Sequence, residues 1–97
     1  MNIVEITRKC VEVIKARLPG EKWQVWLFGS QARGGATPYS DVDIAIEGET
    51  AVPWEIMSTI KREIDGIQTL RSIDVVDARI ADERFRGQVF SHGRKLA

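Results

Sequence analysis

Two short stretches of strand-forming residues, 23–28 and 41–46, are separated by a connection that is too short to hold a full crossover helix. Neighbouring parallel strands need a longer connection, usually a helix, whereas antiparallel strands can be joined by a short loop. We therefore expect these two strands to be antiparallel neighbours. That pairing places the end of the first strand, where Gly29 follows, beside the start of the second.

The two strands alternate in a way that predicts which face each side chain occupies. In the second strand Val42, Ile44 and Ile46 point to one face, while Asp41 and Asp43 point to the other. The first strand has large apolar residues on both faces, which predicts that helices cover at least part of each side. Four residues are assigned to the core: Cys10 as a small core filler, and Trp23, Trp26 and Trp54. The alternative for Trp54 is an exposed side chain that could stack on a base.

Helical and strand patterns alternate in the rest of the chain. Apolar residues recur every three to four positions over residues 2–18, and Pro19 ends that helix. We predict a second helix from about Pro53 to Gly66, a third strand over residues 72–76 and a last helix over residues 81–90. The expected fold is α+β (α/β-like), a small three-stranded mixed sheet flanked by helices, and we expect residues 1–97 to form a single domain.

Charge and composition narrow the class of function. Lys+Arg and Asp+Glu number 14 each, which leaves no overall basic character for binding nucleic acid. From Gly34 to Ile60 the chain has acids but no Lys or Arg, whereas basic residues are in excess beyond Asp77. An acidic centre with basic flanks fits a metal site that meets an anionic substrate, although a solvated surface gives the same pattern.

The location of the protein follows from two further observations. No apolar run approaches the length that spans a bilayer, and the N-terminus is predicted to be an amphipathic helix instead of a signal peptide. Cys10 is the single cysteine, so there is no disulfide framework, and a reducing compartment is expected. We expect a cytoplasmic protein without membrane contact, and homo-oligomerisation stays open.

Three aspartates are the candidate metal ligands. Asp41 and Asp43 lie two apart in a strand, so their carboxylates project from one face, and oxygen ligands suit Mg²⁺ or Mn²⁺ better than zinc. Taken alone, this pair is more simply explained as two solvated loop acids. Asp74 interrupts an apolar strand, which costs stability unless something compensates its charge. A third strand beside the second would bring Asp74 to the same cluster. Asp77 competes for this role, but it falls on the opposite face, and we expect it to cap the turn between strand and helix.

The residues around the connection are candidates for phosphate binding. Gly29 lets main-chain N–H groups approach a phosphate closely, and Ser30 adds a hydroxyl donor, with a helical turn over residues 30–33 supplying a positive end. The alternative is that Gly29 and Ser30 form only a turn. Arg33 either contacts phosphate or pairs with the acids, and Ser40 orders the turn before Asp41.

Together these motifs resemble a known family. The pattern of the DNA polymerase β-like nucleotidyltransferase superfamily is matched in three places, Gly29-Ser30, Arg33-Gly34 and Ser40-Asp41-x-Asp43. The short form resembles the minimal nucleotidyltransferases of bacteria and archaea. The strand at 73–77 resembles the strand that holds the third acid of that family, so the resemblance covers nearly the whole chain.

The resemblance implies a nucleotidyltransferase fold and a specific role for each motif. Gly29, Ser30, Arg33 and Ser40 would bind the triphosphate of ATP or another NTP. The catalytic and metal-binding residues would be Asp41, Asp43 and Asp74, which would hold two Mg²⁺ ions, with Mn²⁺ as the alternative.

The resemblance also implies a partner. In bacteria, minimal members that resemble this chain are commonly paired with a helical HEPN-domain toxin, and in such pairs they adenylylate a tyrosine of that toxin as its antitoxin. The expected function is therefore Mg-dependent transfer of AMP from ATP to a HEPN toxin. The alternatives are a binding module that neutralises a HEPN protein by contact alone, and nucleotidyl transfer to RNA or a small molecule.

Overall fold

A computed structural model of the chain describes residues 2–29, 32 and 41–97. Within these ranges lie three α-helices and four β-strands: α1 (Ile3–Arg17), β1 (Gln24–Phe28), β2 (Val42–Glu47), α2 (Trp54–Asp65), β3 (Ile73–Asp77), α3 (Glu83–His92) and β4 (Arg94–Lys95). The strands form one sheet in the order β3-β2-β1-β4. β1 pairs antiparallel with β2 and β4, whereas β2 and β3 are parallel. The predicted α+β fold, its mixed sheet and the antiparallel β1–β2 pair are confirmed.

One face of the sheet forms the main core with α1 and α2. Alternate residues of the central strands point to this face and are fully buried, as the sequence pattern predicts. The helices contribute residues spaced three or four apart along one side. The fully buried members of this cluster are Ile6, Cys10, Ile14, Val25, Leu27, Val42, Ile44, Ile46 and Ile60. The predictions of Cys10 as a core residue and of helices on this side are confirmed.

The opposite face of the sheet packs against α3. Trp26 and Phe90 meet edge to face with ring centroids 5.2 Å apart, and Phe28 and Phe85 do the same at 5.2 Å. Val89 is buried between α3 and the sheet. Helices therefore cover part of each side of β1, as its large apolar residues on both faces predict.

Two features of the fold differ from the sequence-based expectation. β4 adds a fourth strand, joined to β1 at Leu27 and extended by a hydrogen bond from the Leu96 N–H to the Val25 carbonyl (2.7 Å). A strand of two basic residues has no alternation by which it could be predicted. The assignment of Trp54 to the core is wrong, because its side chain is 74% exposed. It lies seven residues before Lys61, and so on the same exposed side of α2.

Asp77 ties the far ends of β2 and β3 to the loop before α2. Its carboxylate is buried and accepts hydrogen bonds from the N–H of Val52 (2.7 Å) and the N–H of Arg79 (2.9 Å). The Arg79 guanidinium in turn donates to the Gly48 carbonyl (3.0 and 2.6 Å). Asp77 thus orders the turn after β3. Asp82 is the N-cap of α3, and its side chain accepts a hydrogen bond from the Phe85 N–H. Both of these hydrogen bonds to Asp77 stabilise the fold.

Within residues 2–29, 32 and 41–97, no helix combines the length and the apolar character that crossing a membrane requires.

We expect Asp77→Ala to lower the free energy of unfolding by about 2–4 kcal/mol, because two main-chain N–H groups lose a charged acceptor. Urea denaturation measures the change. Asp74→Ala is the matched control on the same strand, and it should not lower the free energy of unfolding, because its side chain is exposed. Equal losses for the two variants would contradict this role of Asp77.

Candidate active site

Asp43 and Asp74 are direct neighbours on parallel strands. The register of β2 and β3 pairs the two residues, so both side chains leave the same face of the sheet at the start of their strands. This is the face on which α3 packs further along, but Asp43 is only partly buried and Asp74 is exposed. The structure thus brings together two of the three acids that the sequence singles out, and Asp77 lies at the other end of β3 on the opposite face.

The environment of Asp43 disfavours its ionised form. Partial burial raises the pKa of the Asp43 carboxyl above its ordinary value, and the neighbouring charges of Asp74 and then Asp41 raise it further. Two carboxylates about 4 Å apart repel by roughly 1 kcal/mol in water and by roughly 4 kcal/mol at an effective dielectric constant of 20. A cation between them would remove that repulsion.

Gly29 lies directly against the carboxylate of Asp43. It has φ +73°, a left-handed conformation that side chains rarely adopt, and a β-carbon at this position would overlap the Oδ2 atom of Asp43. The antiparallel pairing of Phe28 with Asp43 produces this contact, because Gly29 is the next residue after Phe28. The main chain after β1 therefore closes one side of the Asp43 carboxylate.

Of the remaining predicted site residues, the structure describes Asp41 but not Ser30, Arg33 or Ser40. Asp41 is exposed and lies immediately before β2. Ser30, Arg33 and Ser40 lie outside the described residues, as does the predicted helical turn over 30–33 apart from Ala32. Among the residues that the structure describes, no three His, Cys, Asp or Glu side chains converge closely enough to hold a metal. The roles of these residues stay predictions.

A groove extends from Asp74 away from Gly29, and we call it the Asp74 groove. It consists of two adjoining hollows, of about 310 and 160 Å³, which share Ile64, Asp65, Ile73 and Asp74. The larger hollow is also lined by Thr69, Arg71 and Ser72 from the loop before β3. Sequence reasoning missed Arg71, because a single arginine in a polar loop belongs to no motif.

The donor atoms at this site fit a hard divalent cation. Asp43 and Asp74 offer carboxylate oxygens from neighbouring strands, and exposed Asp41 can supply more from the residue before β2. Mg²⁺ and Mn²⁺ prefer such ligands and keep part of their water shell, so they need no closed protein cage. The arrangement suits binding a metal–phosphate complex from the solvent side.

Comparison with known proteins identifies the family. The family described as "Polymerase beta, Nucleotidyltransferase" matches residues 5–97. This chain belongs to that family. Its members use divalent metal ions, and the carboxylate oxygens of Asp43 and Asp74 are of the type that such ions prefer.

Individual relatives are consistent with this membership. The chain is 31% identical over 64 residues to a probable protein adenylyltransferase, MntA, of Haemophilus influenzae; the match includes 66% of this chain and 56% of MntA. The chain thus spans little more than half of that relative. A solved structure of a candidate minimal nucleotidyltransferase superposes with a TM-score of 0.71 at 26% identity, covering 99% of this chain and 97% of the other.

A second solved structure is a toxin–antitoxin complex with AMP-PNP. One of its chains superposes with a TM-score of 0.67 at 25% identity and covers 93% of this chain and 71% of its own length. These matches show the nucleotidyltransferase fold that the sequence motifs imply.

We expect Gly29→Ala to destabilise the protein by about 2–4 kcal/mol, from the left-handed backbone and the overlap with Asp43. Gly20→Ala is the matched control, since Gly20 has φ +102° but open space around it, and should cost only about 1–2 kcal/mol. In an Asp43→Ala background the cost of Gly29→Ala should fall to that of the control. A cost that is the same in both backgrounds, measured by urea denaturation, would exclude the contact.

The pKa of Asp43 predicts a pH dependence of stability. Because the folded state raises this pKa, protonation of Asp43 stabilises the fold; that stability is present below the ordinary value of 3.8 and is lost as pH rises through the raised value. Melting temperatures of the wild type and Asp43→Asn, measured in EDTA from acidic to neutral pH, should therefore diverge as pH rises, with Asp43→Asn the more stable at neutral pH. Glu12→Gln, an exposed change on α1, should follow the wild type. Parallel curves for all three proteins would contradict the shift.

Proposed function

We propose that this chain is a Mg-dependent nucleotidyltransferase that transfers AMP from ATP to a tyrosine hydroxyl of a HEPN toxin, and so acts as its antitoxin. The observation on which the proposal rests is the row formed by Gly29, directly after β1, and by Asp43 and Asp74 on the neighbouring strands β2 and β3. Gly29, which has no β-carbon, lies at one end of the row, and the carboxylates of Asp43 and Asp74 form the rest of it. Such a row can hold a triphosphate and the ions that accompany it side by side.

The reaction forms one bond and breaks one. The hydroxyl oxygen of the acceptor attacks the α-phosphorus of ATP, and a new oxygen–phosphorus bond forms. The bond between that phosphorus and the bridging oxygen of pyrophosphate breaks, so pyrophosphate leaves with the electron pair and the hydroxyl proton passes to solvent. The protein contributes position and charge more than covalent chemistry.

Each part of the site has a proposed role in that reaction. Asp41, Asp43 and Asp74 would hold two Mg²⁺ ions, which neutralise phosphate charge and lower the pKa of the attacking hydroxyl when bound. Gly29 and Ser30 would bind the triphosphate through main-chain N–H and hydroxyl donors, with Arg33 as a cation beside it and Ser40 ordering the turn before Asp41. Asp74 would also orient the attacking hydroxyl.

The nature of the acceptor is supported by the relatives. MntA is described as a protein adenylyltransferase, and a similar fold occurs in a toxin–antitoxin complex that binds an ATP analogue. Such a pair would act in the cytoplasm, where ATP is available.

The direct test is transfer to the protein encoded beside this gene. Purified wild-type protein, incubated with ATP, MgCl₂ and that partner, should add the mass of an AMP group to the partner, localised by tandem mass spectrometry to a tyrosine. Asp43→Asn should lower the rate about 100-fold or more, because the proposed Mg²⁺ ions would lose a charged ligand and with it their stabilisation of the phosphate charge. Glu12→Gln is the control and should keep the wild-type rate.

Two results would count against the proposal in different ways. An unchanged partner mass with the wild-type protein would contradict transfer. Transfer that is lost in an Asp41→Ala and Asp43→Ala double variant, while the toxin is neutralised as before, would show that contact alone is the antitoxin activity.

A further inference from the structure

The row from Gly29 to Asp74 determines the direction from which an acceptor can approach. Asp43 and Asp74 belong to the adjacent strands β2 and β3, which lie about 4.8 Å apart, and Gly29 directly follows β1 on the other side of β2. With the triphosphate bound near Gly29, the leaving pyrophosphate lies on the β1 side. In-line displacement places the attacking oxygen opposite the leaving group. The acceptor hydroxyl therefore arrives from the β3 side, where the Asp74 groove begins.

The loop that forms the wall of the Asp74 groove is held in place by the fold. The Ser72 carbonyl accepts a hydrogen bond from the Val42 N–H (2.8 Å), which joins the end of this loop to the start of β2. The Thr69 hydroxyl accepts from the Arg71 N–H (3.1 Å). β3 is also the edge strand of the sheet, so no further strand of the described chain covers this side.

Arg71 supplies an unused donor within this wall. Its Nη1 atom is shielded from solvent and has no hydrogen-bond partner in the described part of the chain. Arg71 makes no salt bridge with Asp65 or Asp74 there, although all three line the same hollow. A buried donor without an acceptor is costly, so an oxygen atom brought into the groove would be bound favourably.

Leu70 adds an apolar contact point next to Arg71. Its side chain is 99% exposed, between two residues that line the groove. The groove is lined by charges of both signs, Asp65 and Asp74 against Lys61 and Arg71, so it has no basic excess of the kind that binds a phosphate backbone. A groove of mixed charge with a leucine at its border suits the polar and apolar groups of a protein surface. The occupant that fits both features is a polypeptide segment.

We propose that the Asp74 groove binds the segment of the partner protein that presents the acceptor hydroxyl. Arg71 binds an oxygen of that segment, either a main-chain carbonyl or a carboxylate, and Leu70 packs against an apolar side chain beside it. The inference rests on the proposed function for the position of the nucleotide and the identity of the acceptor. It assigns the recognition of the acceptor to the loop before β3.

Steady-state kinetics separates this role from a general structural one. Arg71→Ala should raise KM for the partner protein about 10- to 100-fold, the effect of one charge-assisted hydrogen bond, and change KM for ATP about twofold at most. Arg71→Lys should recover part of that loss because it keeps the charge but not the planar donor pair. Arg62→Ala, which removes an exposed arginine of α2 that donates to the Thr59 hydroxyl, is the matched control and should behave as the wild type.

A binding measurement tests the groove without requiring transfer. N-acetyl-tyrosine amide offers the hydroxyl and the carbonyl oxygens, and at millimolar concentration it should shift the amide resonances of residues 66–74 saturably. The shifts should persist in Arg62→Ala and disappear in Arg71→Ala. Leu70→Ser should leave this small probe bound but weaken the whole partner protein severalfold.

The outcomes distinguish the two proposals. If the wild type transfers no AMP but the tyrosine probe shifts residues 66–74 through Arg71, the proposed function fails and the groove stands. The groove proposal is overturned if the probe shifts no resonance of residues 66–74, or if Arg71→Ala leaves KM for the partner unchanged. Equal increases in both KM values would likewise overturn it.

Discussion

The parallel pairing of β2 with β3 is fixed at both ends by main-chain hydrogen bonds. At the start Val42 donates to the Ser72 carbonyl (2.8 Å), and at the finish Ala78 donates to the Ile46 carbonyl (2.9 Å). A slip of one residue would move every side chain of β3 to the other face of the sheet and take Asp74 away from Asp43. Both the main core and the candidate site therefore depend on this one register. The apolar residues of β3 enforce it, because Ile73 and Val75 pack against the main core only in this arrangement.

The two ends of β3 show how the chain separates stability from function. Asp77 is buried, and its oxygens accept two main-chain hydrogen bonds, so its charge is compensated within the fold. Asp74, three residues earlier, faces another carboxylate and solvent, and its charge is left for a ligand to compensate. Two acids of the same type on one strand thus have different physical environments. Placing the uncompensated acids at an open edge limits the cost that the site imposes on the protein.

Much of this arrangement could be predicted from the sequence, because periodicity reports burial directly. The alternation in β2 predicted its two faces, and the position of Asp74 within an apolar strand predicted its placement beside Asp43. Sequence reasoning missed β4 because a strand of two basic residues is too short to show alternation. It missed the exposure of Trp54 because a single aromatic residue does not indicate which side of a helix it lies on. The unpaired donor of Arg71 depends on the packing of its loop, which sequence spacing does not encode. The contact of Gly29 with Asp43 likewise required the exact strand register.

The reactivity of the Cys10 thiol can be used to measure local opening of the fold. The thiol is fully buried between α1 and the sheet, and burial raises its pKa to about 11, so the reactive thiolate is scarce at neutral pH. A thiol reagent can reach Cys10 only when α1 separates from β1 and β2. The rate of labelling in the native protein therefore measures how often that separation occurs, without any engineered probe. Because α1 packs on the face opposite Asp43 and Asp74, comparing labelling with and without nucleotide would reveal whether ligand binding on one side of the sheet tightens the other.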